Sequence, residues 1–204
     1  MALETLLNRL LHNPTTDDVW ALHPLLLAAG TPEAEAARQL AGSFFRYLSD
    51  VQSRLTSKQF SSLSAMLAAG AIGVFAAQDV VEALRSDRRQ AIGHLLSGGL
   101  ASALEVFATV QHVKAWETEF AVTHQHALWD LYAELWRIST ESQPDLPDAQ
   151  RQALMDTLLT PVRCSGNQDS YVCLAIVVRL YQVLLAIRLL PVIDAVQAAT
   201  ASPA

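Results

Sequence analysis

At 204 residues, with 51% apolar, 7% aromatic and 17% charged side chains, the chain has the length of one domain. Folding would bury roughly 70% of its unfolded surface, so it needs no disulfide or metal to hold a core, and that core is aliphatic. A formal net charge of −6 argues against phosphate-backbone binding, which needs clustered Lys and Arg, and nucleic acid is not an expected partner.

Helical periodicity runs nearly end to end, with no convincing alternating strand pattern. Leu3 to about Leu11 forms a first short helix with Glu4 and Arg9 inside a leucine pattern, unlike a basic leader with a small-residue cleavage site. After Asn13-Pro14-Thr15-Thr16, where a threonine can cap, a second helix reaches about Ala28, and Pro24 should make it irregular or split it. Gly30-Thr31-Pro32 opens a third with threonine at the cap, proline at the first position, and Glu33 and Glu35 in the first turn, ending near Leu55.

A fourth helix is expected from about Ser57 to Arg85, and a fifth from near Arg88 after Ser86-Asp87. The run Arg85, Arg88, Arg89, interleaved with Asp87, reads as capping and solvation at that junction. No proline falls between Arg88 and Thr140, and a kink or break is expected at Ser97-Gly98-Gly99. Ala65, Ala69, Gly73 and Ala77 recur every four residues, as do Gly93, Ser97 and Ala101. Such small-residue ridges allow a close hairpin of helices four and five, expected at the centre of the fold. Gln143 to Pro147 is a clear loop, Asp148 to Thr160 a short helix, and Pro161 to Asp169 a second loop.

Tyr171 to Ile193 is almost entirely apolar, interrupted only by Arg179, Gln182, Arg188 and Pro191. At about 100° per residue the two arginines point in opposite directions, so the helix has no ordinary solvated face and must be surrounded. It is long enough to span a bilayer, at about 35 Å. Its Leu, Ile and Val residues contribute roughly −4 to −8 kcal/mol to insertion, offset by about +5 to +7 kcal/mol from the arginines. A central bundle helix or subunit interface is therefore preferred over a membrane span, and in that setting both arginines need acidic partners. Cys164 and Cys173 fit no zinc spacing and read as reduced thiols in a cytoplasm.

Glu105, His112, Glu119 and His126 repeat every seven residues on one face of helix five, with Trp116 and Asp130 among them. Successive members lie about 10.5 Å apart, too far to share one metal unaided. No glutamate is followed three positions later by histidine, as helical di-iron sites require. The opposite side carries Val106, Val110, Val113, Phe120, Leu128, Leu131, Leu135 and Ile138, an expected buried stripe. The row therefore reads first as a solvated face, then as a partner-facing groove, and last as a metal or acid-base site. The ladder His126, Asp130, Glu134 and Arg137 reads as exposed pairs. Trp129, Trp136 and Tyr132 flank it, at a core edge or as interface anchors. No phosphate-loop, dinucleotide, nucleophile-elbow or zinc-protease pattern is present in the sequence.

The sequence thus specifies an all-α, single-domain bundle of about six or seven helices over 1–198 with a long apolar C-terminal helix, and a frayed tail over 199–204. The expected role is protein-protein interaction, as a homodimer, adaptor or small subunit, with no catalytic activity and no cofactor. Trp129, Trp136, Tyr132, Arg179 and Arg188 are the candidate partner-binding residues. The alternatives are an apolar ligand held between helices near His112 and Trp116, and a metal-dependent enzyme using His112, Glu119 and His126.

Overall fold

A computed structural model describes residues 3–72, 77–87, 90–91, 94, 131, 137, 149 and 170–201. Among these the protein is all-α, with helices α1 (Leu3–His12), α2 (Thr16–Ala29), α3 (Pro32–Arg54), α4 (Ser57–Ile72), α5 (Ala77–Ser86) and α6 (Ser170–Ala201).

The helix starts follow from their capping residues. Thr15 accepts the Asp18 amide at 3.1 Å and opens α2. Thr31 accepts the Ala34 amide at 3.2 Å, with Pro32 at the head of α3. Thr56 and Gln59 cap α4 reciprocally: the Thr56 hydroxyl accepts the Gln59 backbone amide, and Gln59 Oε1 accepts the Thr56 backbone amide at 2.9 Å. Asp87 accepts the Gln90 amide at 3.0 Å, and Gln90, Ala91 and His94 are helical, as a helix starting after Ser86-Asp87 requires. Gly30, at φ 63°, closes α2 in the left-handed region that a side chain would strain.

Two local expectations change. Pro24 does not split α2, which runs unbroken from Thr16 to Ala29. The proline lies on the exposed side, where water can satisfy a carbonyl that loses its amide donor. The last helix continues to Ala201, past the point where fraying was expected, with every residue from Asp194 onward exposed. Gln197 donates to Glu4 at 2.7 Å and Arg85 pairs with Asp194, which ties this projecting end to α1 and α5.

The core is built around α6. Of the residues from Val177 to Leu190 only Arg188 is not fully buried, and α6 lies against α1, α2, α3 and α4. The apolar helix is therefore enclosed by its own chain. The leucines of α1, at 3, 6, 7, 10 and 11, all face inward at helical spacing. Helix α3 presents Ala34, Ala37 and Ala41 followed by Phe44, Leu48 and Val51. The alanines allow close approach along one half of α3. In the other half Phe44 stacks on Tyr181 of α6 at 5.1 Å between ring centroids, with Tyr47 tilted against the same ring at 5.5 Å.

The expected fourth helix is described as α4 and α5, and residues 73–76 between them lie outside the described set. Gly73, Ser97 and Ala101, on which the expected central hairpin rests, also lie outside it. Two members of the helix-five pattern are described. Leu131, from the expected stripe, is helical and buried, while Arg137, from the charged ladder, is helical and exposed.

Candidate functional site

Of the nine candidate residues, His112, Trp116, Glu119, His126, Trp129, Tyr132 and Trp136 lie outside the described residues. The other two, Arg179 and Arg188, stand on α6, and Arg188 is half-buried. Arg179 is 2% exposed.

Its surroundings explain its presence in an apolar helix. A helix end leaves four carbonyl oxygens without amide donors and carries the negative pole of the helix dipole. At the end of α1 the Arg9 carbonyl accepts the Asn13 amide at 2.8 Å. The next two carbonyls are served from α6: Gln182 Nε2 donates to Leu10 at 2.7 Å, and Arg179 Nη1 donates to Leu11 at 3.2 Å. Arg179 Nη1 also donates to Gln182 Oε1 at 3.2 Å, so the two side chains act as one unit. Burial lowers the Arg179 pKa to about 10, which still leaves a cation at neutral pH beside the negative end of α1. The expected carboxylate partners were sought in the charged row of helix five, which is not described. The partners described here are carbonyl oxygens.

A second polar unit lies at the start of α2. Asp18 is 3% exposed, with Arg9 Nη2 at 2.5 Å and the Thr15 hydroxyl donating to its carboxylate at 2.7 Å. Arg9 remains half exposed, so this pair seals the α1–α2 junction at its rim.

The surface carries a feature that the sequence reading did not single out. Trp20, 55% exposed, and Leu27, 56% exposed, are two of three large apolar residues on the described surface. With Pro24 and Ala28, also exposed, they fall within about 100° on one side of α2. Val19, Leu22 and Leu26 occupy the opposite, buried side. Trp20 stacks on His23 at 5.3 Å and tilts against half-buried Phe45 of α3 at 5.0 Å, which extends the apolar surface onto the next helix. Alongside, Arg38 donates twice to Glu35, at 2.7 and 2.5 Å, and Gln39 donates to the same carboxylate at 3.0 Å. Arg38 Nη1 also lies 3.4 Å from His23 Nε2. The hydrogen bonds from Arg38 and Gln39 hold the Glu35 carboxyl down at about 2.

The detectable signal was the run from Val19 to Ala29, apolar around the whole helix except at His23. A helix apolar on both sides, with one side facing water, offers a surface to something else. Among the described residues no cluster of His, Cys, Asp and Glu is arranged to hold a metal. No known protein family, curated protein or solved structure matches the chain.

Proposed function

We propose that the protein is a non-catalytic protein-protein interaction module that engages its partner through the exposed side of α2. The observation that carries this reading is the exposure of Trp20 and Leu27 on one stripe with Pro24 and Ala28. Tryptophan is enriched among residues that dominate interface energies, because a large rigid ring buries much area at little entropic cost. The ring of Trp20 is already held by His23 and Phe45, which lowers the ordering cost of binding.

The rest of the molecule supports this use. The apolar surplus of the last helix is consumed inside the fold, so α6 offers little surface and serves as the rigid post on which α1 and α3 are mounted. Helix α2 is joined to α3 and lies against that post, which makes it a fixed platform.

Quantitative affinity capture from the source cells, with wild-type chain and a Trp20→Ser/Leu27→Ser double variant as parallel baits, tests the reading. A defined protein retained by wild type and lost by the folded variant is expected. Identical capture profiles, together with unchanged self-association in native mass spectrometry, would overturn it.

A further inference from the structure

We infer that His23 is a protonation switch on the surface of α2: on gaining a proton its ring gives up Arg38 and is retained by Trp20. The switch is made of contacts within the chain and is independent of what α2 engages.

Half-buried His23 lies between two unlike neighbours. Its ring stacks on Trp20, with centroids 5.3 Å apart and planes 21° from parallel. At its edge, Arg38 Nη1 lies 3.4 Å from Nε2. A guanidinium only donates, so this contact needs a lone pair on Nε2, and the neutral ring carries its proton on Nδ1. The added proton lands on Nε2, and two cations then meet donor to donor.

Which partner moves follows from the other end of Arg38. Its Nε and Nη2 donate to the two carboxylate oxygens of Glu35, at 2.7 and 2.5 Å, and Gln39 donates to one of them at 3.0 Å. Arg38 is therefore anchored, and Glu35 is already occupied at both oxygens. Trp20 presents an aromatic face, which attracts a cation. Repulsion at the edge of the ring and attraction at its face act in the same direction, so the imidazolium yields at Arg38 and stays on the indole. The indole is itself backed by Phe45 at 5.0 Å.

Within this cluster histidine is the one side-chain type that gains charge between pH 5 and 8. Glu35, held at about 2, stays anionic, and Arg38, raised by Glu35, stays cationic. Of the other helices against α2, α1 sets Arg9 on Asp18 and His12 on the Asn8 carbonyl, and α6 sets Arg179 on the Leu11 carbonyl. Half-buried Arg188 of α6 makes no hydrogen bond or ring contact with His23. Among the described residues, the charged groups facing the ring are thus Arg38 and, behind it, Glu35.

The test is NMR of the full chain from pH 8 to 5, following the ring carbons of His23 and the indole N–H of Trp20, assigned with His23→Gln and Trp20→Phe. Circular dichroism confirms that each variant folds. The Trp20 signal should move with the His23 titration, and that movement should vanish in His23→Gln. Ring-to-ring NOEs between the two residues should persist at pH 5. Arg38→Met should raise the His23 midpoint by at least about 0.5 pH unit, since the facing cation is gone. Trp20→Leu should lower it by about 0.4 to 0.7 pH unit, since the aromatic face is gone. A Trp20 signal that stays still while His23 titrates would overturn the switch. So would NOEs lost at pH 5, which would send the imidazolium to solvent, or a His23 midpoint indifferent to either substitution.

Discussion

Arg179, in the middle of α6, donates to the carbonyl of Leu11 at the end of α1, 168 positions earlier in the chain. With Gln182 on Leu10, it supplies from a distant helix the cap that α1 lacks in its own sequence. The two polar groups in the centre of the apolar helix therefore fix where the first helix ends against it.

Gln182→Leu should cost about 1 to 3 kcal/mol, because the Leu10 carbonyl and one Arg179 donor lose their partner in a buried setting. Arg179→Met should cost a similar amount, about 1 to 3 kcal/mol, by orphaning the Leu11 carbonyl. Since the side chains are bonded to each other, the double variant should lose less than the sum, by at least about 0.5 kcal/mol. Urea unfolding of the four proteins measures this, and strictly additive losses would separate the pair into two independent contacts.

At the α1–α2 junction, Thr15→Ala removes both the acceptor of the Asp18 amide and the donor to the Asp18 carboxylate. The expected loss is about 1 to 2 kcal/mol in urea unfolding. Thr31→Ala, whose hydroxyl accepts the Ala34 amide, should cost about 1 kcal/mol. Equal losses at the two caps would show that the bond to the buried carboxylate adds nothing.

Glu35 supplies a pH signature. Its carboxyl is held down at about 2, first by the Arg38 hydrogen bonds and then by Gln39. A group whose folded pKa is depressed stabilises the fold above its ordinary pKa of 4.5, and that contribution is lost as pH falls from there through about 2. The carboxyl carbon resonance of Glu35 should titrate near 2 in the wild-type chain, and Arg38→Met should move it back toward 4.5. An unchanged titration in that variant would place the cause elsewhere.

The two sides of α2 should respond in opposite ways. Leu22→Ala, in the core, should lower stability by about 2 to 5 kcal/mol, whereas Leu27→Ser should change it by no more than about 0.5 kcal/mol and Trp20→Ser, which loses the ring contacts to His23 and Phe45, by about 1 kcal/mol. Thermal or urea unfolding separates the outcomes. A large loss at Leu27 would show that it is packed, not displayed.

The elements legible in the sequence are those set by local chemistry. A threonine cap after Asn13-Pro14, which the structure places at Thr15, the Gly30-Thr31-Pro32 turn with Thr31 at the cap, and the leucine pattern of α1 all act within a turn or two of themselves. The burial of most of Val177 to Leu190 was legible for another reason: with Arg179 and Arg188 on opposite sides, the helix has no ordinary solvated face. What encloses it was not legible, because the partners of Arg179 and Gln182 are backbone carbonyls that no residue type announces. The face of α2 was hidden for a related reason. Val19, Leu22 and Leu26 on one side and Trp20, Pro24 and Leu27 on the other are both apolar, and only tertiary packing decides which of them meets α6. The burial of Arg179 against the end of α1 depends on the same long-range packing.

Hydroxyl-radical footprinting of the full chain in detergent-free buffer tests most directly the claim that α6 is the enclosed post and α2 the displayed surface. Trp20 and Leu27 should oxidise readily, while Tyr181 and the leucines at 184, 185, 189 and 190 stay protected. Oxidation of Tyr181 and those leucines at rates matching Trp20 would contradict the account and return α6 to the surface.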